Sequence, residues 1–78
     1  MNDNPTVKLG SFVRVLDPEG EEEYTIVGGE EADAVLRRIS SESPLGMALL
    51  GRVVGEHVKV RAPGGVRAVK ILRVAHGV

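Results

Sequence analysis

The chain has 78 residues, 42% of them hydrophobic and 27% charged, with a formal net charge of -1 and no cysteine. That length gives one small domain with a single thin core, and the apolar fraction is too high for an intrinsically disordered chain. Without cysteine there is no disulfide framework or thiolate metal site; the near-neutral charge argues against wholesale nucleic-acid binding, and no window approaches the ~20 apolar residues of a membrane span.

The first residues, MNDNPTVKLG, carry no basic segment followed by an apolar run, so no leader peptide is expected and the chain is read as cytoplasmic. Residues 1–9 read as a linker or flexible segment and residues 10–78 as the folded domain. From Ser11, SFVRVLD sets Phe12 and Arg14 against Val13 and Val15, the period of a strand with one buried face. Asp17-Pro18-Glu19-Gly20 supplies turn chemistry, and Tyr24 to Val27 are β-formers ended by Gly28-Gly29, so the pair predicts an antiparallel hairpin. Glu30 to Ser40 supports two readings. Ala32, Val35, Leu36 and Ile39 recur at helical spacing, whereas LRRIS equally suits a short edge strand whose arginines deter further pairing.

SESPLGMALLG follows, with helix punctuation around barely two turns. Ser43 fits the N-cap, Pro44 the first helical position and Gly51 the stop. Isolated helices under roughly 12 residues are marginal in water, so this one depends on Leu45, Leu49 and Leu50 covering a sheet. Gly46 permits a close approach, either of a partner or of the sheet. In EHVKVRAPGGVRAVKILRV, Val58 and Val60 alternate with Lys59 and Arg61, and Pro63-Gly64-Gly65 turns the chain. The return strand changes parity, with Val69 and Ile71 on one face and Leu72 and Val74 on the other, which predicts a bulge or burial of both faces near its end. The expected product is an α+β domain: an antiparallel sheet of four or five strands with one short helix packed across it.

The formal charge hides a division. Residues 1–39 hold nine acidic and four basic residues, and residues 40–78 hold two acidic and six basic. Pairing of strands from the two halves would set opposite charges across from each other; a patch facing an oppositely charged partner is the other reading.

Little of the sequence suits catalysis. His57 and His76 are the only histidines, and neither adjoins a nucleophile motif. Glu30, Glu31 and Asp33 read as a solvated acidic turn rather than a metal cluster, and Pro63-Gly64-Gly65 lacks the spacing of a phosphate loop. One Phe, one Tyr and no Trp leave no stacking platform for single-stranded nucleic acid. No enzyme activity, cofactor or metal is expected.

Taken in order, LGSFVRVLD, EEEYTIVGGEEAD, RRISSESPLGMALLG, VGEHVKVRAPGG and KILRV resemble the C-terminal domain of the bacterial Gre transcript-cleavage factors, the GreA/GreB family, from about Val7 to Val74. The resemblance implies an FKBP-like curved sheet holding a helix. It does not imply prolyl isomerase activity, because the pocket of such isomerases is lined with aromatic residues that this chain lacks. It further implies a docking domain for bacterial RNA polymerase at the rim of the secondary channel, with Ser40, Ser41, Glu42, Ser43, Pro44 and Leu45 as the docking element. In that family a separate N-terminal coiled coil carries acidic residues that position a catalytic Mg²⁺. No heptad repeat precedes Val7 here, so the expectation is the docking half without the chemical half, acting as a monomer with no direct contact to nucleic acid or membrane. It would then be either a domain of a full-length factor or a stand-alone competitor of cleavage factors. An FKBP-like peptide-binding or isomerase domain is the less favoured alternative.

Overall fold

Alternation along the chain becomes five strands and one helix in the computed structural model, which describes residues 5–76. In order these are β1 (Ser11–Asp17), β2 (Gly20–Val27), a 3-10 turn at Gly29–Glu31, β3 (Arg38–Ser40), α1 (Pro44–Leu49), β4 (His57–Ala62) and β5 (Gly65–His76). They form one sheet in the order β3-β2-β1-β5-β4. Both hairpins use the same device. Pro18-Glu19 and Pro63-Gly64 are the two-residue turns, and Gly20 and Gly65, which open the return strands, both take φ +129°, where a side chain would be strained.

The β1–β2, β1–β5 and β4–β5 pairs are antiparallel, as expected, but β3 joins β2 in parallel, with Ile26 beside Ile39. The sheet is therefore mixed rather than wholly antiparallel, because the 3-10 turn and the loop after it carry the chain back before β3 begins. Of the two readings of Glu30 to Ser40, the short edge strand is correct for Arg38–Ser40. The predicted bulge is also present: Arg14 faces Arg73 and Val15 faces Ile71, leaving Leu72 as the extra residue. That one-residue slip brings Val69, Ile71 and Val74 to the same buried side.

The core consists of Val13 and Val15 from β1, Ile26 from β2, Val58 and Val60 from β4, the three β5 residues just named, Val7 and Leu49. All but Leu49 are β-branched, which suits a pleated surface, and the helix supplies the one γ-branched side chain. α1 packs against both β4 and β3, the two edges, so the sheet curls and the helix closes its open side. Tyr24, Ile39, Leu45, Ala48 and Leu50 are half-buried around this contact. Val7 is only 2% exposed, and its N–H and C=O bond to Arg52 O and Gly51 N at 2.8 Å each. Val7, within the segment 1–9 read as a linker, is thus packed against the chain that follows the helix; residues 1–4 of that segment lie outside the described residues.

Of the two readings of the charge division, strand pairing of opposite charges is hardly realised. Acidic β2 and basic β5 lie on either side of β1, and across β1–β5 Arg14 faces Arg73, a pair of like sign. Arg14 instead bonds to Glu21 at 3.0 Å and approaches Glu23 at 3.8 Å, both on β2. Among the described residues the one ion pair between the two halves is Arg67 to Asp17, 2.6 Å. Arg14, Arg37 and Arg52 thus pair with carboxylates of their own half of the chain, and strand pairing brings the two halves' charges together only at Arg67–Asp17 among the described residues.

Candidate docking site

The segment from Ser40 to Leu45 leaves β3 and enters α1, and short hydrogen bonds fix it at each step. Ser41 N–H donates to Val27 O at 2.8 Å, continuing the parallel ladder one residue beyond the strand. Ser40 Oγ accepts from Glu42 N–H at 3.0 Å, while Ser40 O accepts both Ser43 N–H (3.0 Å) and Ser43 Oγ–H (2.7 Å). Ser43 Oγ in turn accepts from Gly46 N–H at 3.1 Å, so the expected N-cap is present with Pro44 at the first helical position. One serine hydroxyl joins the turn before the helix to the helix itself.

Gly46 answers a question the sequence leaves open. A Cβ there would lie 2.0 Å from Ser40 O and 2.9 Å from Ser40 C, so the close approach is to the chain's own backbone at the end of β3. The consequence is a loop pressed against the first turn of α1. Of the six residues in the segment, Glu42 and Pro44 are exposed and the other four are half-buried. Glu42 and Pro44 are thus the side chains presented outward, and Ser40, Ser41, Ser43 and Leu45 hold them there. Beside them, Met47 on the outer side of α1 is 61% exposed. An open cleft of about 610 Å³ separates Glu42 from Glu30 and Glu31 on the 3-10 turn, floored by Gly28 and Gly29. This acidic neighbour of the loop was legible in the sequence only as a charge run, because its proximity to Glu42 depends on the parallel return of β3.

Residues that suggested other chemistry are held apart. Tyr24 is half-buried on the core side of β2, whereas Phe12 lies on the outer face of β1, so the two aromatic side chains do not converge on a pocket. A serine and a histidine do meet: Ser11 Oγ and His76 Nδ1 are 3.0 Å apart. Ser11 is fully buried and its oxygen also accepts Lys8 N–H at 2.9 Å, so the hydroxyl is closed to a substrate and ties β1 to β5. His57 stands exposed at the start of β4. Among the described residues no group of three or more acidic or histidine side chains is placed to hold a metal ion, and no helix is long and apolar enough to cross a membrane.

Comparison with known proteins places this arrangement. The family described as "Transcription elongation factor, GreA/GreB, C-term" matches residues 2–76. Transcription elongation factor GreA of Chelativorans sp. (strain BNC1) is 49% identical over 74 residues, covering 92% of this chain and 47% of the relative. GreA of Caulobacter vibrioides is 53% identical over 70 residues, covering 87% of this chain and 45% of the relative. Among solved structures, Thermus aquaticus Gfh1 superposes with a TM-score of 0.84 at 30% identity, over 97% of this chain and 51% of that one. The GreA/GreB factor of Nitrosomonas europaea gives 0.73 at 33% identity, over 90% and 60%. The chain spans about half the length of the curated relatives it matches. With its curled sheet and single capped helix, it belongs to the GreA/GreB family of transcription elongation factors and corresponds to their C-terminal domain.

Proposed function

We propose that this domain is a docking module for bacterial RNA polymerase, bound at the rim of the secondary channel through Ser40–Leu45, with no catalytic role of its own and a cytoplasmic place of action. The observation that carries the reading is the bonded loop in which Ser43 caps α1 and holds Glu42 and Pro44 outward. A loop ordered before contact loses little entropy on binding. The separation of Phe12 from Tyr24 on opposite faces of the sheet favours this over a peptide-binding or isomerase domain.

The test is binding of the chain to bacterial core RNA polymerase with a full-length Gre factor as competitor, repeated with Pro44→Ala. Competitive binding weakened by Pro44→Ala supports the reading; affinity unaltered by that change removes Pro44 from it. A transcript-cleavage assay on the bound complex then distinguishes a docking half from a competitor that blocks cleavage factors.

A further inference from the structure

The two hairpins carry charge on their outer faces in opposite ways. On β1–β2 the signs interleave, with Arg14 bonded to both Glu21 and Glu23, as on an ordinary solvated face. On β4–β5 they do not. Burial of the alternate residues turns Lys59 and Arg61 of β4 and Lys70 and Arg73 of β5 to the side of the sheet away from α1, and all four are exposed. Neither strand contains an acidic residue, and none of the four cations forms an ion pair among the described residues. Their nearest neighbours in the register are uncharged or of the same sign: His57 and Leu16 flank Lys70, Ala68 faces Lys59, and Arg14 faces Arg73.

Charge on an edge strand deters pairing with another chain, which accounts for Lys59 and Arg61 on β4. It does not account for Lys70 and Arg73, because β5 lies between β1 and β4 with both of its sides paired. Like charges gathered on a sheet face repel, so the face is complete only against a polyanion. The side chains around the cations indicate which one. Protein interfaces are built on an apolar or aromatic centre from which lysine is depleted, whereas the centre of this face is Lys59, Ala68 and Lys70, with Leu16 at its side and Val66 at its end. Phe12, the aromatic residue of the outer face, lies past Arg73, level with Ala75, so no ring stands between the cations for unpaired bases to stack on. What remains is contact with phosphates held at fixed spacing. From Arg61, level with Val66, to Arg73 the stripe runs about 20 Å at a strand's rise of about 3.3 Å per residue. A duplex carries one phosphate per ~3.4 Å along each strand, so each cation can meet a separate phosphate. The near-neutral sum of charge over the chain does not describe this one face. We propose that the outer face of the β4–β5 hairpin binds the phosphate backbone of double-stranded DNA through Lys59, Arg61, Lys70 and Arg73, without reading base sequence. This does not depend on the docking reading, whose loop lies at the β3 end of the sheet.

The experiment is fluorescence anisotropy of the chain with two labelled duplexes of about 20 base pairs and unrelated sequence, titrated between about 25 and 100 mM salt. Equal affinity for the two sequences is expected, with a log–log salt slope of about -3 to -4 for four phosphate contacts. Lys59→Gln with Arg61→Gln, and separately Lys70→Gln with Arg73→Gln, are each expected to weaken binding at least about tenfold and to flatten the slope by about 2. Both are expected to melt within about 4 °C of the unaltered chain, since the four side chains are exposed. Arg37→Gln with Arg38→Gln removes the same charge at the opposite edge of the sheet and is expected to bind nearly as the unaltered chain does. An equal loss in that control makes the effect one of net charge and overturns the proposal, as does absence of binding at the lowest salt. Tighter binding to the single strand of the same sequence, to polyglutamate or to phosphatidylserine vesicles gives the face to another partner and likewise overturns it.

Discussion

Replacing Gly46 by alanine sets two opposite effects against each other at one atom. In an exposed helix the change is favourable by about 1 kcal/mol, because glycine loses more backbone freedom on folding. Here the new Cβ would meet Ser40 O at 2.0 Å, whereas ordinary contact begins near 3.4 Å, so loop and helix must part by about 1.4 Å. Ser40 O accepts two hydrogen bonds from Ser43, and Ser43 Oγ caps Gly46 itself, so the loop cannot yield without disturbing them. Losing two such bonds costs about 2 kcal/mol and overpacking about 1–3 kcal/mol, against the gain of about 1 kcal/mol in propensity. The expected net loss is about 2–4 kcal/mol, which for a domain of this size lowers the melting temperature by roughly 10–30 °C. Thermal and urea denaturation followed by circular dichroism would measure it. Gly29→Ala is the matched control, since its Cβ meets only Ser40 Oγ at an ordinary 3.6 Å. A Gly46→Ala protein as stable as the parent would show that the loop relaxes freely, and would refute the rigidity on which the docking argument stands.

The remaining predictions concern the supports of that loop and of the core. Ser43→Ala removes the cap and is expected to cost about 1 kcal/mol, read from the urea midpoint at unchanged slope. Leu49→Ala removes the helix's one fully buried side chain among the described residues and is expected to cost about 2–5 kcal/mol, with amide exchange in α1 accelerated more than in β1. Arg67→Ala leaves the carboxylate of Asp17, 6% exposed, with only the Glu19 N–H. Because Arg67 itself is half in solvent, a loss of about 1–2 kcal/mol is expected in low-salt denaturation, and a loss below 0.3 kcal/mol (about the error of additivity) would mean that water replaces the guanidinium at no cost.

The hairpins, the bulge and the capped helix were legible because their determinants are local: period-two alternation, Pro and Gly at fixed turn positions, and a hydroxyl three residues ahead of a free amide. The segment from Glu30 to Ser40 was not. Its apolar residues recur at helical spacing, yet Val35 and Leu36 face water and only Ile39 packs on the core. The carboxylate of Asp33 binds the amides of Val35 and Leu36, which a helix would need for its own ladder, so side-chain bonding overrides the period. The parallel sense of β3, the burial of Val7 and the single ion pair between the two halves among the described residues depend on where distant strands lie. No neighbouring residue reports that. The proposed docking residues were found by family resemblance; the division between those presented outward, Glu42 and Pro44, and those supporting them required the structure.

The middle of the sheet joins opposite ends of the chain. β1 and β5 are neighbours, and the Ser11–His76 contact spans 65 residues. During synthesis the β1–β2 hairpin can form early, but its free side has no strand to accept until β5 has left the ribosome. Folding is therefore gated by β5, and loop closure between strands so far apart in sequence places the domain among the slower small ones. A chain that stops before β5 keeps both remaining parts of the sheet unpaired, so premature termination yields an adhesive fragment rather than a smaller working domain.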